Sequence, residues 1–397
     1  MLHLLLVLSI VGILTSTMYA LLVVVGAVRL ARRRWAATAA EFTPPVSLLK
    51  PVHGWEPDLE SHLESFFAQD YPEFEIIFCA REERDPGLET ARRVAARFPR
   101  VRSSFLLSGS PPYPNAKVWS LESMQSAAAY GFLVVSDSDV SVARNYLRAV
   151  MAPFADPRVG LVTCLYRGAG SNFWSRLEAA GMSIEMSAGV LVAELLEGMK
   201  FALGPTMVVR RDSLEAVGGF RAIGPYHADD FMLGNKIAAN GQRVVLSTHV
   251  IDHHVLNTSF LPSVLHQVRW MKSTRFSRPK GHLGTALTFS MPYGLLAVGA
   301  GVALHQPVLG ALLLLWSWAS RVGLGILVGG LVVDEPRLMR SALLYPLRDL
   351  LGFSYWVASY LSNQVRWRGE VYNLLEDGFM RSGSQPSERE PEAILTA

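Results

Sequence analysis

Residues 2–28, LHLLLVLSIVGILTSTMYALLVVVGAV, contain no Asp, Glu, Lys or Arg. About twenty consecutive apolar residues in a helix cross the hydrocarbon core of a bilayer, so this run predicts a membrane helix before anything else about the chain is considered. A cleaved leader has a shorter apolar stretch and a basic start, and this run has neither, which predicts a retained anchor over 1–28. Arg29, Arg32, Arg33 and Arg34 follow at once. That positive flank predicts that the C-terminal side of the anchor faces the cytoplasm.

A second apolar zone occupies 286–361. Residues 286–320 carry no charge, and after Arg321 the run resumes to Val333. His305, Gln306 and Pro307 make a natural turn between spans near 286–304 and 308–332. A third segment, 342–361, holds Arg348 and Asp349 side by side. Charges at membrane depth must be paired or face a cavity, so this segment spans, re-enters or lies at the interface. Two to three C-terminal helices are therefore expected, and a multi-pass integral membrane protein. Half of the 397 residues are hydrophobic, as this layout requires. The net charge of +3 implies little about nucleic acid, which is not expected as a partner, and the basic residues cluster beside apolar runs, as membrane flanks do. The tail 382–397, SGSQPSEREPEAILTA, has the composition of a disordered segment.

Between the two zones, roughly 250 residues of mixed polarity are enough for one catalytic-sized domain, taken as 44–280. Short apolar runs alternate there with longer amphipathic stretches, the pattern of an α/β domain on a mainly parallel sheet. Strands are expected at 46–52, 74–80, 101–107, 132–138, 160–166, 207–211 and 243–250. Helices are expected at 57–69, with Pro57 in its first turn, and at 87–97, 116–129, 143–151, 172–196 and 229–239. Cys79 and Cys164, the two cysteines, fall inside apolar runs and read as buried thiols.

In such sheets ligands bind beyond the carboxyl ends of the strands. FLVVSDSDVS places Asp137 and Asp139 there, one residue apart, so both carboxylates can face one point. Paired hard oxygen donors suit Mg²⁺ or Mn²⁺; the competing reading is a plain turn. In GPYHADDFMLG, Asp229 and Asp230 precede a helix. One of them can cap it, and the other is left to enter a cleft as a general base. His227 reads as a hydrogen-bonded loop histidine. After FEIIFCA come Arg81, Glu82, Glu83, Arg84 and Asp85, a solvated loop in which only Asp85, before Pro86, would line a site. Lys117 opens a helix where it could meet phosphate or simply face solvent. His249, His253 and His254 lack the spacing of a metal site and are not assigned to one.

The stretch 262–275, PSVLHQVRWMKSTR, is compatible with a helix. Gln267 and Trp270 share a face, and Arg269, Lys272 and Arg275 add charge. Such a basic helix next to an apolar zone suits the membrane surface. The tetrapeptide QVRW recurs at 364–367.

Taken in order, Asp85, Asp137-x-Asp139, Asp230 and His266 or Gln267 through Arg269-Trp270 resemble the signature of processive and lipid-linked family-two-like glycosyltransferases with a GT-A fold. The segments VSLLKPVHGWEPDLESHLESFFAQDYPEFEIIF, NAKVWSL, VVSDSDV, VGLVTCLYRG, LGPTMVVRRDSLEAVGGF and ADDFMLG are similar to those of ceramide glucosyltransferases and the related hopanoid-associated enzymes, over about residues 44–280.

The resemblance implies an inverting glycosyltransferase that moves sugar from a UDP-sugar, UDP-glucose being expected, to the primary hydroxyl of a membrane lipid. Ceramide is the expected acceptor, and N-acetylglucosamine transfer to a hopanoid the alternative. It implies a GT-A α/β domain with Asp230 as base and Mg²⁺ or Mn²⁺ on Asp137 and Asp139. Asp85, Lys117 and Asp137 would bind the donor nucleotide, and Gln267, Arg269 and Trp270 would serve acceptor and diphosphate. Either His266 or Gln267 takes the first place of the Gln-x-x-Arg-Trp motif. Three short C-terminal segments argue against a polysaccharide channel, and the complete acidic set argues against a catalytically dead scaffold. Only the first QVRW is expected in the site, with Trp367 anchoring the tail at the membrane surface.

Overall fold

A computed structural model describes residues 1–36, 42–367 and 370–383. Seven strands form at the seven expected runs: β1 Val46–Pro51, β2 Phe74–Ala80, β3 Arg102–Leu107, β4 Phe132–Ser136, β6 Val159–Ala169, β7 Thr206–Arg210 and β8 Arg243–His254. With the short β5, Val140–Ser141, they make one sheet in the order β3-β2-β1-β4-β7-β6-β8-β5. Its β3–β4 half is parallel, β7 runs against both its neighbours, and β5 runs against β8.

Alternation along the strands builds a core on each face of the sheet. Leu48, Ile76, Phe78 and Val134 enter one core; Leu49, Ile77, Cys79, Leu133 and Val135 enter the other. A strand buried on both sides reads as an unbroken apolar run, which is why β1, β2 and β4 were visible in the sequence. Cys79 and Cys164 are both buried free thiols.

The helices differ from expectation in two places. The first runs Leu59–Phe67, because Asp58 takes a left-handed backbone (φ 56°) and ends the preceding turn. Pro57 therefore lies ahead of the helix and not in its first turn. The segment expected at 172–196 is helical from Phe173 to Glu197 but widens to a π-turn at Gly181–Met186.

Among the described residues, three helices are long and apolar enough to cross a membrane: Leu2–Ala36, Phe173–Glu197 and Pro307–Val332. The outer two are 28% buried over their most apolar stretch, whereas Phe173–Glu197 is 67% buried against the rest of the protein. Met291–Ala303 has 13 residues and is bent by 50° from the preceding Pro279–Thr288. Leu338–Ala358 contains Pro346 and is not apolar enough to count with the three. Its adjacent Arg348 and Asp349 are each paired. Arg321 lies 3.3 Å from Asp349, and Asp349 also accepts the N–H groups of Ser290 and Met291 at 2.9 and 2.8 Å.

The N-terminal helix is bound into the fold. Val23, Ala27 and Leu30 belong to the same core as β1 and β2. Arg33 makes a two-pronged pair with Glu194, and Arg34 donates to the carbonyls of Thr248 and Val332. At the other end of the chain, β9 (Gln364–Trp367), β10 (Glu370–Leu374) and β11 (Met380–Ser382) form a small antiparallel sheet. The sequence 384–397, most of the expected disordered tail, lies outside the described residues; Ser382 belongs to β11.

Candidate active site

A cavity of about 870 Å³ opens beyond the carboxyl end of β4. Asp137, Asp139, Lys117, Asp229, Asp230, Gln267, Arg269 and Trp270, all singled out from sequence, line it together.

The two Asp-x-Asp carboxylates have different partners. Lys50, a buried residue of β1, donates to the Asp137 carbonyl at 2.5 Å and holds the turn after β4. The Asp137 side chain meets Lys117 at 2.6 Å, while Asp139 meets His253 Nε2 at 3.1 Å. Strand pairing explains the second contact: Val140 is opposite His253, and the N–H of His254 donates to the Asp139 carbonyl at 2.8 Å. Burial works against the Asp139 carboxylate, but His253 beside it, then Lys50 and Lys117, bring it down to about 2. Asp139 Oδ1 is buried with no hydrogen-bond partner.

Lys117 is placed by its helix, Ala116–Ala127, whose cap Asn115 accepts from the Val118 N–H at 3.1 Å. The same Asn115 amide reaches the Tyr226 carbonyl and Asp229, tying the two acidic loops together. Lys117 bridges them electrically, 4.0 Å from Asp229. Burial disfavours its ammonium, yet Asp137 and Asp229 outweigh this and raise its pKa.

Neither Asp229 nor Asp230 caps the helix Asp229–Ala239; Ala228 holds that position without a side-chain bond. Asp230 instead accepts from the Gly204 N–H and its neighbour Phe231 N–H, both at 2.7 Å. Burial, with the Asp229 charge second, pushes Asp230 up to about 6. A carboxylate held near neutrality in a cavity is suited to proton abstraction.

Asp85 is not on the cavity wall. It caps the helix Pro86–Arg97 through the N–H groups of Gly87 and Leu88. Both its oxygens also accept from Gly54, at 3.0 and 2.9 Å. Gly54 has a φ of 70°, a backbone that favours glycine. Asp85 thus clamps the loop after β1 to the end of β2.

His227 is the hydrogen-bonded loop residue that was expected, meeting Ser273 at 2.8 Å. On the helix Phe260–Ser277, His266 and Gln267 take separate partners. His266 meets Glu178 at 2.5 Å and packs against Trp270 in a tilted pair, with ring centroids 4.8 Å apart. Gln267 is buried and accepts from Arg348 at 2.7 Å. The basic end of this helix is bound within the protein: Lys272 donates to the Gln364 carbonyl and Arg275 to Ser359 and Asn363.

Glu56, His253 and Trp367 line the cavity from outside the expected set of site residues. Glu56, in the loop after β1, accepts from Ser138 at 2.8 Å, and burial, with Asp139 next, pushes it up to about 7. His253, which lacks metal-site spacing in the sequence, lies on the part of β8 beyond the expected end at 250. The alternation of Ile251 and His253, both buried, was the available signal. Trp367 was expected at the membrane surface; instead it lines the cavity. Pairing of β9 with β10 and the bridge between Phe379 and Tyr226 bring it back over the acidic loop. Both copies of QVRW therefore contribute a tryptophan to one cavity.

A sequence model described as Glycosyl transferase family 21 matches residues 7–380. Ceramide glucosyltransferase 1 of Caenorhabditis elegans is 24% identical over 361 residues, which span 88% of this chain and 76% of that protein. The ceramide glucosyltransferase of Komagataella phaffii is 39% identical over 106 residues, 26% of this chain and 21% of that one. Among solved structures, a mannosyltransferase from Pyrobaculum calidifontis in complex with GDP-Man and Mn²⁺ superimposes with a TM-score of 0.51 at 17% identity. The match covers 89% of this chain and 99% of that one, a likeness of fold.

Proposed function

The chain belongs to glycosyl transferase family 21 and carries a GT-A α/β domain, and on that premise we propose that it transfers glucose from UDP-glucose to the primary hydroxyl of ceramide, with inversion. One observation carries the reading. A single cavity is lined by Asp137, Asp139 and Asp230 and also by the apolar Met186, Val190 and Leu196, on a helix apolar enough to span a membrane. A charged sugar nucleotide and a lipid alcohol can both reach such a cavity. The two relatives above are named ceramide glucosyltransferases, which supports this pairing of donor and acceptor.

The donor set fits a hard divalent cation in part. Asp139 keeps an unsatisfied buried oxygen, and Asp137 lines the same wall. Among the described residues no group of three or more metal-binding side chains gathers, so water and the donor's own phosphates would complete the shell, a usual arrangement for Mg²⁺. Mg²⁺ or Mn²⁺ on these two carboxylates would offset the charge of the departing diphosphate.

The remaining work falls to the protein. Lys117 and Arg269 supply positive charge for the diphosphate. Asp85 keeps the Gly54 loop in place beside the nucleotide. Asp230, fixed by the Gly204 and Phe231 amides, takes the proton of the acceptor hydroxyl as its oxygen bonds to the anomeric carbon. The bond from that carbon to the β-phosphate oxygen breaks on the opposite face, and UDP leaves with the electron pair. A single displacement of this kind yields a β-linked product. Trp270 and Trp367 close the acceptor side and exclude water. In this reading residues 44–280 are the catalytic domain on the cytoplasmic side, held at the bilayer by 1–28 and 286–361.

The test is direct. Membranes containing the protein are incubated with UDP-glucose or UDP-N-acetylglucosamine and with ceramide or a hopanoid polyol, and the lipids are analysed. A β-glucosylated ceramide is expected, and its loss in Asp137→Ala. Sugar on the hopanoid alone would replace the proposed acceptor, and no glycosylated lipid with either donor would end the proposal.

A further inference from the structure

The π-turn Gly181–Met186 has a consequence inside the cavity. π-Turns widen a helix by one residue and recur at functional sites. Here the widened turn admits the Arg348 guanidinium: a Cβ at Gly181 would lie 2.1 Å from Arg348 Nε. It also turns Glu185 inward, to 3.2 Å from Arg348 Nη2. Arg348 reaches on to Gln267 Oε1 at 2.7 Å. Glu185, Arg348 and Gln267, from three different helices, all line the cavity.

Their hydrogen bonding is incomplete. Arg348 Nε and Nη1 and Gln267 Nε2 are buried without a hydrogen-bond partner, and Glu185 Oε2 has only its ion pair with Arg348. Arg348 and Gln267 are only 3% and 4% exposed. Buried polar atoms are ordinarily satisfied, and a cluster of exceptions on a cavity wall calls for a ligand. The wall is also balanced in charge. Arg348 faces Glu185 across this part of the wall. A balanced wall gives no net attraction to an anion, but it offers N–H donors and a carboxylate acceptor to a neutral polar group.

We propose that Glu185, Arg348 and Gln267 form the subsite that grips the uncharged polar head of the lipid acceptor. Arg348 and Gln267 donate to its carbonyl and hydroxyl oxygens, and Glu185 accepts from its N–H or O–H. The subsite rests on the lipid-acceptor reading above and adds to it the residues that recognise the head and the charge they select. These are acceptor-binding residues; the proton is still taken by Asp230.

The experiment uses the full chain in detergent, with Arg348→Lys and Glu185→Gln. Arg348→Lys keeps the charge and loses the fork of donors; Glu185→Gln keeps the shape and loses the charge. N-Hexanoyl sphingosine, a neutral amide diol, and dihexanoyl phosphatidic acid, an anion, are titrated against tryptophan fluorescence, and UDP binding is measured on the same samples to confirm folding. The neutral lipid is expected to bind wild type more tightly than the anion, and to weaken about tenfold or more in each variant. In turnover assays KM for the neutral lipid rises while kcat at saturation changes less. Equal affinity in wild type and in both variants, or a preference for the anion, overturns the subsite, as does a defect confined to kcat. Should Arg348→Lys lose UDP binding through misfolding, Glu185→Gln carries the test alone. A wild type that binds the neutral lipid but transfers no sugar to any lipid leaves the subsite standing and removes the proposed reaction.

Discussion

The indole of Trp367 lies with its ring centre 5.9 Å from that of His227, in the loop that leads into Asp230. The backbone repeats the link: the His227 N–H donates to the Gly378 carbonyl and the Met380 N–H to the Pro225 carbonyl. The C-terminal sheet is thus part of the acidic loop's support. Trp367→Ala should lower kcat/KM about tenfold by loosening that loop and admitting water, since small misplacements near the chemistry are costly. Trp367→Phe should retain most activity. A normal steady-state profile for Trp367→Ala would return this residue to a purely structural role.

Asp230→Asn should lose at least about a hundredfold in turnover, the usual contribution of a general base, while UDP binding changes little. Single-turnover assays at saturating donor separate the two. Near-normal turnover would remove Asp230 as the base.

The raised pKa of Asp230, about 6, gives a signed pH dependence. A base works only when deprotonated, so the rate should climb as pH rises through about 6 and level off above it. Below that point the slope should be about tenfold per pH unit. Asp229 is one cause of the elevation, so Asp229→Asn should shift the inflection to lower pH. A profile that does not move would show that burial alone sets it.

The Arg321–Asp349 pair is nearly inaccessible, at 1% and 2% side-chain exposure. Asp349→Leu leaves Arg321 buried without its counter-charge and should cost about 3–5 kcal/mol. Replacing both, Arg321→Met with Asp349→Leu, should recover much of the loss. Thermal unfolding in detergent reads this as a lowered Tm in the single variant that is largely restored in the double.

Chelation should suppress transfer, and added Mn²⁺ or Mg²⁺ should restore it, with Asp139→Asn needing more metal than wild type. Unchanged activity after exhaustive chelation would leave basic side chains such as Lys117 and Arg269 as the counter-charges for the diphosphate.

Much of this was legible in the sequence because buried strands are written locally. FEIIFCA and FLVVS carry their burial in their own letters, and an acid placed after such a run is placed in space as well. What escaped depends on pairing between distant segments. His253 joins the site because β8 continues to pair with β5, a register no single strand encodes. Trp367 arrives through a sheet whose bridge to Tyr226 spans more than a hundred residues of sequence. Asp85 shows a different limit: its position at the end of β2 was correct, but a carboxylate there can serve as a helix cap, and the structure uses it as one. The π-turn at Gly181 was invisible for the reason most backbone irregularities are, since the residues around it are good helix formers.

The N-terminal helix is continuous from Leu2 to Ala36, about 52 Å at the usual rise per residue, against a bilayer core of about 30 Å. Its far end is fastened to β8 and to the end of Pro307–Val332 by Arg34. With that helix across a bilayer, the catalytic cavity rides at a fixed altitude and cannot tilt away from the lipid surface. For the proposed lipid acceptor, capture then becomes a search in two dimensions, set by how fast lipids drift past the mouth of the site and not by how often one escapes into water.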